Sequence, residues 1–346
     1  VVLRDVNIAI QSGRGSEMRK VTIALIAGAT LCGAFSWGET RDSANFIWLY
    51  IEPGSRPGGL GKAFTGLADD ANATYYNPGG LALQEKRGVS VMHEPRGTDD
   101  LKDMFYDYVA LAYQTGKYGT LGVDVVYSDA GKSSGRDDQG REIGILHSYG
   151  AAPSLYWAYP VRKNLGVGAG LTYAYEHLTD QPGGVTQQLL FNAGALYKTP
   201  LKGLSGGLAF TNLGPNISAT RVNAEEQEIE VDWPPPRTVR LGLAYKVFSS
   251  DLNDLILAAD GSKLLMNLDE SLSEEFGQAV YSGGAEYVYA KMVAVRGGYY
   301  RDRWGEIKGL TLGFGFAYKG LSFDYARVPE GDLYGDRSRF AVGYYF

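Results

Sequence analysis

The chain has 346 residues, 45% of them hydrophobic, with 47 Gly, 25 Tyr and a formal net charge of -6. A mean hydropathy of -0.18 excludes a bundle of membrane helices, and the acidic balance argues against a nucleic-acid partner. Pro is ordinary at 13, so this is no low-complexity chain, and abundant Gly with abundant Tyr suggests many strands with aromatic ends.

The single long apolar run, residues 21–37, follows Met18-Arg19-Lys20 and holds Cys32, the only cysteine. A basic start, an apolar stretch and small residues around Ala34-Phe35-Ser36 predict a secretory signal peptide over residues 1–36. The run is short for a spanning helix. Residues 1–17 precede a segment that should be N-terminal, so translation is expected to start at Met18. Leu31 is too large for a lipoprotein site at Cys32. Cleavage near Ser36 leaves no cysteine, hence no disulfide and no thiol chemistry.

Residues 37–86 come next and contain PGSRPGGLGKAFTGLADDANATYYNPGGLALQ. Gly58, Gly59 and Gly61 permit backbone conformations closed to other residues. Lys62 to Leu67 is expected to form one or two helical turns. Asn77-Pro78 has the order of a cap followed by proline at the first helical position. Asp69, Asp70 and Asn72 are expected to bond nearby backbone, since their spacing matches no calcium loop. This compact, mixed segment precedes the first strand and reads as a hatch.

From residue 87 the chain alternates apolar and small or polar residues, as in Leu310-Thr-Leu312-Gly-Phe314-Gly-Phe316-Ala-Tyr318. Strands are predicted at 88–93, 105–115, 118–128, 147–159, 165–177, 186–198, 204–213, 237–248, 254–264, 279–289, 292–301, 309–318, 321–328 and 337–346. Short turns, most of them bearing Lys or Arg, alternate strictly with long loops rich in Asp and Glu. An even strand number with tight periplasmic turns and long outer loops predicts an all-β, 14-stranded antiparallel outer-membrane β-barrel over residues 87–346, with the hatch as plug. The last strand carries Phe340, Val342, Tyr344 and Phe346 on one face. It is expected to close against the first strand and to end at the periplasmic rim, as a signal to barrel-assembly machinery. Leu121, Val123, Val125, Leu310, Leu312, Phe314 and Phe316 should face lipid. Asp124, Glu176, Asn192, Arg240, Glu286, Arg296 and Asp324 should face the lumen, where both signs neutralise each other. Large apolar side chains are few in this inward set.

The hatch segment resembles that of the FadL-like outer-membrane barrels in its glycines, A-F-T, A-D-D-A and Y-N-P-G sequence. More narrowly it resembles the PorV/PorQ branch, through Trp48-Leu-Tyr-Ile-Glu-Pro53-Gly54-Ser-Arg56, Phe210-Thr-Asn212-Leu-Gly214 and Leu255-Ile-Leu-Ala-Ala-Asp260. The family usually has Ala where this chain has Gly79, which is expected to loosen the turn. The PorV/PorQ resemblance implies a non-catalytic role in type IX secretion, engaging exported proteins or translocon subunits at the cell surface. The wider resemblance implies the alternative, passive transport of long-chain fatty acids or other hydrophobic small molecules. Transport needs an apolar site, to which the hatch could add Leu60, Phe64, Tyr75 and Tyr76. Secretion needs a docking surface. The acidic loop 214–236, with Glu225, Glu226, Glu228, Glu230 and Asp232 before Trp233-Pro234-Pro235-Pro236, offers an exposed Trp stiffened by proline. An enzyme is not expected: His93, His147 and His177 are scattered, and Ser148 points to the opposite face from His147. No metal or other cofactor is expected either.

Overall fold

The computed structural model describes residues 46–97, 103–136, 142–178, 184–222, 228–265, 279–302, 307–331 and 335–346. The expected signal peptide, the start at Met18 and residues 37–45 lie outside the described residues, as do Glu225 and Glu226.

Fourteen strands of the described residues close into an antiparallel barrel. They are β1 (Gly88–Pro95), β2 (Phe105–Gln114), β3 (Thr120–Arg136), β4 (Glu142–Arg162), β5 (Leu165–His177), β6 (Val185–Lys198) and β7 (Leu204–Leu213). After an inserted pair, β8 (Ile217–Val222) and β9 (Glu228–Trp233), follow β10 (Thr238–Ser249), β11 (Asn253–Leu264) and β12 (Val280–Tyr289). The wall ends with β13 (Val293–Asp302), β14 (Ile307–Tyr318), β15 (Leu321–Pro329) and β16 (Asp336–Tyr345). β16 closes on β1 from Gly88 opposite Tyr345 to His93 opposite Phe340, so no edge is left to aggregate.

Each strand sorts its residues by the period of two. Leu310, Leu312, Phe314 and Phe316 on β14 and Phe340, Val342, Tyr344 and Phe346 at the C-terminus are exposed on the outer surface. Such a band of exposed apolar side chains is stable only against lipid. Aromatic rings ladder from strand to strand near the long-loop rim, through His93, Phe105, Tyr127 and Tyr149. Trp157 stacks on Tyr159, and Tyr344 on Phe346, near the other rim. These are the girdles of the two membrane interfaces. The turn at Ala290 and Lys291, and that at Lys319 and Gly320, have positive φ at both central residues, the geometry that matches strand twist in two-residue hairpins.

Three departures from the sequence reading have physical causes. β3 and β4 have 17 and 21 residues, beyond the ~9–11 that cross a bilayer, because polar alternation after Tyr127 still supports a hairpin above the membrane. Loop 214–236 contains the β8–β9 hairpin, paired from Ile217 opposite Trp233 to Val222 opposite Glu228. Residues 62–67 form turns rather than a helix; Lys62 has φ +68, and the helix lies earlier, at Ser55–Gly59.

Candidate functional site

The described part of the hatch, residues 46–86, lies inside the barrel. It lines the lumen from the level of Trp48, beside Gly150, down to Gln84 and the start of β1. Glycines let backbone meet backbone. A Cβ on Gly59 would stand 2.9 Å from Gly313 Cα, and one on Gly79 would stand 2.6 Å from Ala195 Cα. On the wall, Gly194, Gly207, Gly242, Gly284 and Gly298 likewise face hatch atoms closer than a Cβ allows. The small inward residues are therefore a track for the hatch. Of the three motif glycines, Gly61 needs its left-handed φ of +67, whereas Gly58 and Gly59 are helical and serve closeness. Gly79 fits a wall contact that an Ala would obstruct, so it tightens the seat rather than loosening a turn.

Polar contacts pin the hatch to the wall. The Asn77 side chain accepts from Gly79 N at 3.0 Å and donates to Thr65 O at 2.9 Å and to Ala195 O at 3.0 Å. Pro78 opens the short 3-10 helix Pro78–Leu83 that this cap begins. Asp260 on β11 accepts from the backbone N–H of Phe64 and Thr65 at 2.8 and 2.7 Å. Trp48 Nε1 donates to Glu176 at 2.9 Å.

The charged lumen residues join the hatch in two networks. Arg56 pairs with Asp69, Asp70 and Glu286 at 2.6, 2.8 and 2.8 Å; Glu286 also holds Arg296, which holds Asp324. Asp69 and Asp70 thus serve Arg56 first, although Asp70 also accepts from Asn72 N. In the second network Arg339 pairs with Glu94 and Glu330 and donates to Glu52 O. Arg240 lies 3.5 Å from Glu52 and over the Tyr75 ring. Sequence reasoning missed Arg339 and Glu94. Stepping back by two from Tyr345 through Gly343 and Ala341 would have placed Arg339 inward.

The lumen is two-sided. Opposite the ion pairs, β1 to β6 present Met92, Tyr106, Tyr108, Val126, Tyr156 and Leu190, buried against Trp48, Leu49 and Leu81. The expected scarcity of large inward apolar residues is corrected: tyrosines, expected at strand ends, also turn inward, as Tyr106, Tyr108 and Tyr156 do. Of the hatch residues named for an apolar site, Leu60, Phe64 and Tyr76 form one buried cluster with Tyr75 at its margin. Behind this wall the β4–β5 ladder is interrupted. Tyr149, Gly150 and Ala151 pair with β5, Ala152 and Pro153 do not, and pairing resumes at Ser154 opposite Thr172. Pro153 has no N–H to donate. On the short-turn side of the hatch, a cavity of about 600 Å³ is lined by Arg56, Asp69, Lys198, Lys291 and Tyr345 among others.

Two sequence-based sites are placed differently. Trp233 is half-buried and residues 234–236 are buried, so the expected exposed contact at Trp233 and Pro234 is covered; Asn212 Nδ2 reaches toward Pro236 O. The histidines sit in the outer girdle. His147 faces Asp129 at 3.0 Å, and Ser148 donates to Leu178 O, away from either imidazole.

Solved structures of similar fold are FadL-like outer-membrane barrels. The Ralstonia pickettii toluene transporter TbuX aligns at TM-score 0.57 with 17% identity, covering 85% of this chain and 97% of that one. The CymD monoaromatic hydrocarbon channel aligns at 0.54 with 16% identity, covering 88% and 98%. A Pseudomonas aeruginosa FadL homologue aligns at 0.53 with 12% identity, covering 84% and 97%. No curated protein matches the sequence. Residues 23–195, half of the chain, match the model of the uncharacterised protein family UPF0164, and the chain belongs to that family.

Proposed function

We propose that this barrel is a passive, non-catalytic outer-membrane channel for hydrophobic compounds. The carrying observation is the apolar inner wall of β1 to β6, which meets the unpaired stretch at Pro153. A solute held against that wall lies next to a place where backbone pairing between two wall strands lapses. The fold shared with toluene and monoaromatic hydrocarbon channels supports the same reading. Membrane export by the segment 1–36 belongs to this proposal, as does the division into hatch and barrel at residue 87. The narrower PorV/PorQ role in type IX secretion loses the exposed Trp233-Pro234 contact from which it was argued.

The test is uptake. Cells carrying the chain in their outer membrane should accumulate radiolabelled toluene or oleate several-fold faster than cells without it. Equal rates for both solutes, together with exported proteins co-purifying on the barrel, would replace transport with secretion.

A further inference from the structure

Two cations meet on the outer surface of the wall. Arg301 on β13 stands directly opposite Lys308 on β14. The step below them pairs Tyr299 with Leu310, which are 46% and 76% exposed in the lipid-facing band. With a period of two, Arg301 and Lys308 share that outward face, and both are exposed. They lie at the long-loop end of the strands, just past the apolar band, where the outer-leaflet headgroups begin. Tyr281 on β12 faces Arg301 from the other side.

Like charges directly opposite one another destabilise a ladder, because their Cβ atoms are only roughly 4.5–5.5 Å apart. The next outward cation, Arg327 on β15, has a carboxylate beside it, Asp336 at 3.1 Å. Arg301 and Lys308 have no ion-pair partner among the described residues. Asp302, next to Arg301 in the chain, points the other way and is buried on the lumen side. Both cationic side chains are long, so their stems cover apolar surface while their charges reach the headgroup layer. The anion which that layer supplies is phosphate. Arg offers it a planar fork of donors and Lys a point charge. One phosphate held between the two offsets the repulsion that the pair carries alone.

We infer that Arg301 and Lys308 clamp the phosphate of an outer-leaflet lipid against the β13–β14 ladder. In the closed wall β13 and β14 lie half a turn away from β4 and β5. The bound lipid therefore ties the barrel to the membrane surface without covering the unpaired stretch at Pro153. The clamp requires that the barrel span the outer membrane, and it stands whether or not the channel carries hydrophobic compounds.

The test uses the full barrel in a neutral detergent, with phosphatidic acid as the probe. Native mass spectrometry should show one phosphatidic acid retained per barrel under conditions that strip phosphatidylcholine and inorganic phosphate. Arg301→Gln and Lys308→Gln should each weaken that retention about fivefold. Lys117→Gln, at an exposed lysine of the short-turn rim, should leave it unchanged. The temperature at which the folded band is lost on a gel gives an independent sign. Without anionic lipid, Lys308→Gln should melt at or above the wild-type temperature, because it removes a like-charge contact. With phosphatidic acid the order should reverse, since the wild type alone gains in full. Any one of four results would overturn the proposal. Retention unchanged in both Gln variants would place the lipid elsewhere. An equal loss in Lys117→Gln would mean general charge attraction. Phosphatidylcholine held as firmly as phosphatidic acid would mean an apolar annulus, and inorganic phosphate held as firmly would mean a site for the free ion.

Discussion

At the residue scale, close backbone contact and buried charge set the largest effects. Gly79→Ala puts a Cβ within 2.6 Å of the Ala195 backbone, which cannot give way as a side chain would. The hatch must shift, at a cost of about 1–3 kcal/mol. Gly261→Ala and Gly297→Ala meet nothing within 4 Å and should stay within about 0.5 kcal/mol of wild type. Urea unfolding of the three variants in lipid vesicles separates these cases. Arg339→Met is harsher. It removes one of the two guanidiniums that join Glu94 and Glu330, leaving Arg96 alone across that pair, and it removes the bond to Glu52 O, so a loss of about 3 kcal/mol is expected in the same assay. Much of this was out of reach of the sequence for one reason. Gly79 and Ala195 are far apart along the chain, and so are Glu94 and Arg339. Local pattern tells which way a residue points, not what it meets there. Asn77 was legible because its cap to Gly79 N spans two residues.

At the element scale, the strands were readable because lipid outside and a tight lumen inside impose one period on every strand. The strict turn–loop alternation then fixed the strand number. The β8–β9 hairpin was not readable, since a ribbon outside the membrane need not alternate apolar with polar. Pro153 is the informative exception within the wall. A proline in a strand with neighbours on both sides removes a ladder bond, and pairing with β5 lapses at Ala152 and Pro153. Pro153→Val restores the N–H and suits a lipid-facing strand position. It should stabilise the barrel by about 1 kcal/mol and slow uptake of a hydrophobic solute if the solute leaves through this seam. Comparing toluene uptake with melting temperature in one variant set keeps the two effects apart. A stabilised barrel with wild-type uptake would move the exit elsewhere, most directly to the cavity on the short-turn side of the hatch.

At the scale of the whole molecule, the hatch fills the space that the inward glycines leave, so the proposed passage of hydrophobic solutes would call for some hatch displacement. The attachment is uneven. On the β10 to β16 side Arg56 joins Glu286, Arg339 reaches Glu52 O, and Asp260 holds the backbone of Phe64 and Thr65. On the β1 to β6 side the contact is apolar packing with hydrogen bonds such as Trp48 to Glu176, Thr74 to Tyr108 and Asn77 to Ala195 O, and among the described residues no ion pair joins hatch and wall there, so this side parts without breaking an ion pair. The hatch should therefore hinge on its charged side and open on its apolar side, toward Pro153. A reversible cross-link tests this directly. Ala63 packs with Ala244 and Ala258 on the charged side, whereas Leu81 packs within the apolar cluster that includes Ala158. With Cys32 replaced by Ser, oxidising an Ala63→Cys, Ala258→Cys pair should leave hydrophobic uptake close to the reduced level. Oxidising a Leu81→Cys, Ala158→Cys pair should suppress it, and reduction should restore it. Equal suppression by both bridges would mean that the hatch leaves as a body. Suppression by neither would mean that solutes pass without moving it.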